Sequence, residues 1–188
     1  MHDWTFLTFG LPHSGKSSFG EKLSKDYGFI HLNLGQILRR ILKESQLPAE
    51  KEMIDHALKN GKMLDRKYIN DLIETELGDN LQKPIIFDGF PRYESARLDF
   101  YEFMRNLHRY LSRVILLNFI IDVEASISLQ QIRNQEATAT NMSNRIAHYL
   151  EEESKVFKEM EKEHRHFNLY WENGFDNNYK MVTSAIDL

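Results

Sequence analysis

The residues best suited to do chemistry lie near the start of the chain, at Gly10-Leu11-Pro12-His13-Ser14-Gly15-Lys16-Ser17. Their spacing is that of a phosphate-binding loop, G-x-x-x-x-G-K-S, entered from the short apolar run Phe6-Leu7-Thr8-Phe9. Glycines let the backbone curl so that its N–H groups point inward as an anion nest. A helix starting at the end of the loop adds its positive N-terminal end. Lys16 brings a full positive charge to the β- and γ-phosphates, and the Ser17 or Ser18 hydroxyl can reach Mg²⁺. Gly10, His13, Ser14, Gly15, Lys16, Ser17 and Ser18 are therefore expected to hold a nucleoside triphosphate.

Such a loop needs a strand before it and a helix behind it, and the rest of the chain supplies more of both. At 188 residues, 41% hydrophobic and 28% charged, the sequence is long enough for one domain with a core of its own, 1–188. The formal net charge of -4 gives no electrostatic case for nucleic acid or for an anionic membrane. With no cysteine there is no thiolate nucleophile, no disulfide and no cysteine-held zinc. The longest apolar run, Val114 to Ile121, is too short to span a bilayer, and Met1 to Trp4 does not read as a signal peptide. The expectation is a cytoplasmic monomer.

Apolar residues recur with helical period at Phe19, Leu23 and Tyr27, ending at Gly28. Phe29 to Leu32 reads as a strand. Helices are expected over Gly35 to Glu44, from Pro48 to a stop at Gly61, and after a cap at Asp65, with Gly78 beyond. Pro84 to Phe87 is a strand, followed by a helix from Glu94 to Leu111, a strand from Arg113 to Ile121 and a helix from Asp122 to Ile132. Arg133 to Ser143 reads as a loop, Asn144 to Phe167 as one long charged helix, and Met181 to Ile186 as a last strand. Alternation of this kind predicts an α/β sandwich of three layers with a five-stranded, mostly parallel sheet. The strandless interval from Gly35 to Gly78 predicts a helical subdomain projecting from it.

Several segments together resemble the adenylate kinase family of nucleoside monophosphate kinases. Gly10 to Lys16 is similar to its G-x-P-G-x-G-K loop, His31 to Arg39 to H-x-S-T-G-D-L-L-R, and Gly61 to Leu64 to G-x-L-V. Asp88-Gly89-Phe90-Pro91-Arg92 matches D-G-F-P-R outright, and Arg145 to Tyr149 resembles R-L-x-x-Y on the helix after the lid. The resemblance implies a P-loop NTPase fold with a helical monophosphate-binding subdomain at 33–78 and a short lid at 133–144. It implies transfer of the γ-phosphoryl group of Mg²⁺-ATP to a nucleoside monophosphate. Lys16, Arg92, Arg145 and Arg133 are then the expected catalytic groups. Leu34, Gly35, Arg39, Met63, Leu64, Gly89 and Arg92 are expected around the acceptor, and Ser17, Ser18 and Asp88 at the metal.

The chain departs from the family pattern at four places. Leu34 stands where the family has the threonine beside the acceptor base, and Gln36 where it has an aspartate. Ala96 replaces the glutamine that reads adenine, and the lid is the fourth; His13, apart from these, takes a loop position usually held by glycine without being assigned chemistry. Lost polar contacts to a base weaken discrimination, so the acceptor base is left open. In the lid, Gln131 and Gln135 fall where the family has arginines, with Arg133 between them, and Glu136 to Asn141 replaces R-x-D-D. Two other readings stay open: a nucleotide-binding protein with a decayed lid, and a P-loop kinase of another small metabolite.

Overall fold

A computed structural model describes residues 3–60, 64–133 and 139–187, apart from the side chains of 60, 133 and 139–141. Five strands form one sheet: β1 (Thr5–Gly10), β2 (Ile30–Asn33), β3 (Ile85–Asp88), β4 (Val114–Ile120) and β5 (Arg165–Tyr170). Their order is β2-β3-β1-β4-β5, and every neighbouring pair is parallel. β1, β3 and β4 are largely apolar along their length because helices cover both faces of the sheet. Successive residues go to opposite layers. Leu7, Phe87 and Leu116 join Phe100, Phe103, Phe157 and Met160 in one core, while Phe6, Ile86 and Ile115 join Phe19, Leu23, Tyr179 and Val182 in the other.

The helices are α1 (Lys16–Tyr27), α2 (Leu34–Glu44), α3 (Pro48–Asn60), α4 (Arg66–Leu77), α5 (Glu94–Asn106), α6 (Val123–Arg133), α7 (Ala139–His148), α8 (Ser154–Met160) and α9 (Phe175–Ala185). Asp65 caps α4 by accepting the Tyr68 N–H at 3.2 Å. Between β2 and β3, α2, α3 and α4 share a small core of their own. Leu38, Ile54, Ala57 and Leu64 are buried there, with Leu42, Met53 and Tyr68 against them. The strandless interval thus holds helices that share a cluster of buried apolar residues.

The C-terminal third differs from the sequence reading. The expected long helix is broken into α7, a π-helical turn at Tyr149–Glu153 and α8, and the chain then enters β5. The last strand is thus Arg165–Tyr170, while Met181 to Ile186 lies mostly in the helix α9. The physical reasons are visible in the contacts. Phe167 and Leu169 alternate toward the core while their neighbours face solvent at the sheet edge, and the ladder to β4 holds that polar segment extended. Tyr179, Val182, Thr183 and Ile186 are buried at helical spacing. The helix after β3 also ends earlier than expected, at Asn106, and Ala139 already belongs to α7 where a loop was expected. Residues 134–138 of the expected lid lie outside the described residues. No helix among the described residues is long and apolar enough to cross a membrane.

Candidate phosphate-transfer site

The carboxyl ends of β1 and β3 lie side by side, so the loops that leave them open on the same edge of the sheet. The β1 loop begins at Gly10, which has φ of 141°. A side chain there would run into the Phe119 carbonyl on β4, so the position takes only glycine. Gly15 then starts α1 in a left-handed conformation, with no side chain accepting from the first turn. The N–H groups of that turn face the loop, which makes it an anion site.

Lys16 donates to the carbonyls of Gly10 at 2.6 Å and Leu11 at 2.7 Å and lies 3.3 Å from Ser14 Oγ. Burial lowers its pKa, and the negative charges of Glu153 and Asp88 act against that fall. Asp88 closes β3 and is 5% exposed. It accepts from Ser17 Oγ at 2.6 Å, from Asn33 Nδ2 at 2.7 Å and from Thr8 Oγ1 at 3.2 Å, and His31 Nε2 is 3.6 Å away. Burial alone would raise its pKa, but His31, the Lys16 charge and the Ser17 hydroxyl together hold the carboxyl at about 2. It is a fixed anion beside the loop hydroxyl.

Three arginines face this pair from different elements: Arg39 on α2, Arg92 just after β3, and Arg145 on α7. Arg92 donates from Nε to the Gly89 carbonyl at 2.9 Å, and its guanidinium lies over Gly89 (φ 90°), where an added Cβ would come within 2.6 Å. Burial lowers the pKa of Arg39 and of Arg145, and the charge of Arg92 lowers both further. Cations held together in this way against their own repulsion form a site for a polyanion.

All of these groups line one cavity of about 850 Å³ between the phosphate loop and the α2–α4 subdomain. Every expected site residue whose side chain is described lies on its wall: Gly10, His13, Ser14, Gly15, Lys16, Ser17 and Ser18 on the β1 side, and Leu34, Gly35, Arg39, Leu64, Gly89, Arg92, Asp88 and Arg145 around them. Met63 and the Arg133 side chain lie outside the described residues. Next to the arginines, Leu34, Leu64 and Ala96 are each 7% exposed and give that wall an apolar surface.

Among the other residues of the cavity, Asn33, Tyr93, His148 and Glu153 were not expected from sequence. Asn33 bridges the two halves: its Nδ2 donates to Ser17 Oγ at 3.0 Å as well as to Asp88, while its Oδ1 caps α2 through the Gln36 N–H. An Asn between a strand and a helix is a recognisable cap, so half of its role was legible. Tyr93 and His148 meet edge to face, 4.7 Å between ring centres, and burial and the Arg92 charge lower the His148 pKa. Glu153, on the π-helical turn, is 6% exposed. Its spacing to Val156, Phe157 and Met160 puts it on the buried face, which was a signal in the sequence.

Comparison with known proteins agrees with this geometry. Residues 8–165 match the family profile described as "Adenylate kinase". A probable UMP-CMP kinase 2 of Arabidopsis thaliana is 36% identical over 103 residues, covering 53% of this chain and 39% of that protein. A GTP:AMP phosphotransferase of Plasmodium falciparum is 36% identical over 98 residues, 49% of this chain and 42% of that protein. An adenylate kinase of Zymomonas mobilis is 35% identical over 91 residues, 46% and 38% respectively. The matched segments thus span about two fifths of the length of these relatives. The profile match takes in the phosphate loop, Arg39, Arg92 and Arg145, the second half of β1 and all of β2, β3 and β4, and on that extent the chain belongs to the adenylate kinase family.

Proposed function

We propose that the chain transfers the γ-phosphoryl group of ATP to a nucleoside monophosphate. The observation that carries this reading is the convergence of Lys16, Arg39, Arg92 and Arg145 on one cavity between the phosphate loop and the helical subdomain. A protein that only held a triphosphate would have no use for a second set of phosphate-binding cations facing the first. The loop and α1 hold the donor. Residues 33–78 present the acceptor, whose phosphate lies between Arg39 and Arg92. Arg145 stabilises charge on the group in transit. Little covalent work falls to the protein, because alignment and positive charge lower the barrier to an in-line transfer.

Mg²⁺ fits the residues present. Ser17 Oγ and the Asp88 carboxylate, 2.6 Å apart, are hard oxygen donors at the phosphate edge. A site with one carboxylate is usual for an ion that takes its remaining ligands from phosphates and water. Ser18 is the second hydroxyl within the loop. The ion would neutralise charge on the donor phosphates.

The acceptor base would lie along Leu34, Leu64 and Ala96. Leu34 and Ala96 offer no side-chain hydrogen bond, so discrimination among bases is expected to be relaxed. The test is ADP formation from ATP with AMP, CMP, UMP, GMP, dTMP and their deoxy forms at high enzyme concentration. Slow transfer to several of them is the expected result. Tight ATP binding with no turnover on any acceptor would favour a nucleotide-binding protein instead, and strong selectivity for AMP alone would overturn the base argument.

A further inference from the structure

The phosphoryl-transfer reading leaves one buried charge without a task. Glu153 is 6% exposed, yet it lines the cavity that holds the cations. Its Oε2 lies 3.9 Å from Arg92 Nε, and its Oε1 is buried with no hydrogen-bond partner among the described residues. An ionised carboxylate with an unpaired oxygen in such a place is costly to bury. On the same helical face Val156, Phe157 and Met160 are all apolar. The π-helical turn at Tyr149–Glu153 sits between these residues and Arg145. One extra residue in a turn rotates the downstream helix against the upstream one by about 100°, so the turn sets how Glu153 faces the arginine helix.

We propose that Glu153 is a built-in counter-anion of the cavity, a positioning residue that steadies Arg92 and the neighbouring cations and competes with incoming phosphate for them. Its negative charge offsets the positive charge that Arg39, Arg92 and Arg145 bring to the same cavity. Arg92 Nε is turned toward the Gly89 carbonyl and the Glu153 side. A polyphosphate entering the cavity draws on cations whose charge Glu153 has partly offset, so it binds more weakly than the same cations alone would bind it. The gain is a site whose repulsion is contained and from which nucleotides can leave.

The inference rests on the phosphoryl-transfer reading, and its test separates the two. Inorganic tripolyphosphate is titrated by calorimetry into the full chain as wild type and as Glu153→Gln, Glu153→Thr and Glu153→Asp. Removing the charge, in the Gln and Thr variants, is expected to tighten binding about tenfold and to steepen its salt dependence. Glu153→Asp keeps the charge and should stay within about twofold of wild type. Thermal melting without phosphate should be lower for the Gln variant, and tripolyphosphate should close that gap. Unchanged affinity in the Gln and Thr variants with reduced stability would make Glu153 merely structural and overturn the proposal. Weaker binding in those variants would overturn it too, as would an Asp variant that tightens as much as Gln. Failure of the wild type itself to bind tripolyphosphate would overturn the functional reading, and this inference with it.

Discussion

Arginines sit at opposite ends of the sheet, one buried and three lining an open cavity, and the two ends are built in opposite ways. At the end where the strands begin, Arg109 is 5% exposed and saturated. Its Nε donates to Thr5 Oγ1 at 3.1 Å, its Nη1 to the carbonyls of Leu81 and Lys83, and its Nη2 to those of Asp3 and Trp4. At the end where the strands finish, Arg39, Arg92 and Arg145 share a cavity, where burial and the Arg92 charge lower the pKa of Arg39 and of Arg145. Burial lowers the pKa of Arg109 to about 10, which leaves it charged at neutral pH among five acceptors. The difference is one of satisfaction. A cation whose every donor is used by the protein stitches segments together, whereas cations held close to each other bind something that arrives from outside.

The strongest challenge to this contrast is kinetic. Arg145→Ala is expected to lower kcat about 10³-fold, since an arginine at a transferring phosphoryl group is worth that much. Its melting temperature should stay the same or rise, because repulsion is relieved. A kcat within tenfold of wild type in a coupled ADP assay would remove Arg145 from the transfer site.

Next comes the opposite case. Arg109→Met should cost about 3 kcal/mol of stability in urea unfolding, because the carbonyls of Leu81, Lys83, Asp3 and Trp4 lose their shared donor. ATP affinity of the folded fraction should not change. A stability loss under about 1 kcal/mol would show that Arg109 is no stitch.

Asp88 supplies a pH test of the charged end. Its folded pKa is about 2, below an unfolded aspartate near 3.9. A depressed carboxylate stabilises the fold above the unfolded value and loses that contribution as pH falls from about 4 to about 2. The loss amounts to about 2–3 kcal/mol. Asp88→Asn should flatten this part of the acid-denaturation profile, and an unchanged profile would contradict the ionised assignment.

The mildest change should come at the acceptor. Arg39→Ala should raise the acceptor KM about tenfold, about 1.4 kcal/mol, while leaving the donor Kd nearly unchanged. Equal losses for both ligands, measured by calorimetry with each alone, would deny the two sides of the cavity separate roles.

Features under short-range control were legible in the amino-acid order alone. The phosphate loop is one continuous segment, and its glycines and lysine have the same meaning in any protein that places a strand before them and a helix after. Asp88 to Arg92 is also contiguous, and the helical stripes of α1 to α4 were readable because each repeats within its own element. The C-terminal third, by contrast, was settled by packing. Arg165–Tyr170 is polar enough to pass for a charged helix, and it is a strand because the exposed edge of β4 offers it a full ladder of backbone hydrogen bonds. The same holds inside the cavity. Asn33 is 16 residues from Ser17 and 55 from Asp88 in the chain, and no local pattern reveals that its amide joins them. Glu153 shares helical spacing with Val156, Phe157 and Met160, which points it to the buried face, but only the packing of α8 against the sheet sets it beside Arg92. Residue type and local spacing set the chemistry available, and long-range packing set which charges face each other across one cavity.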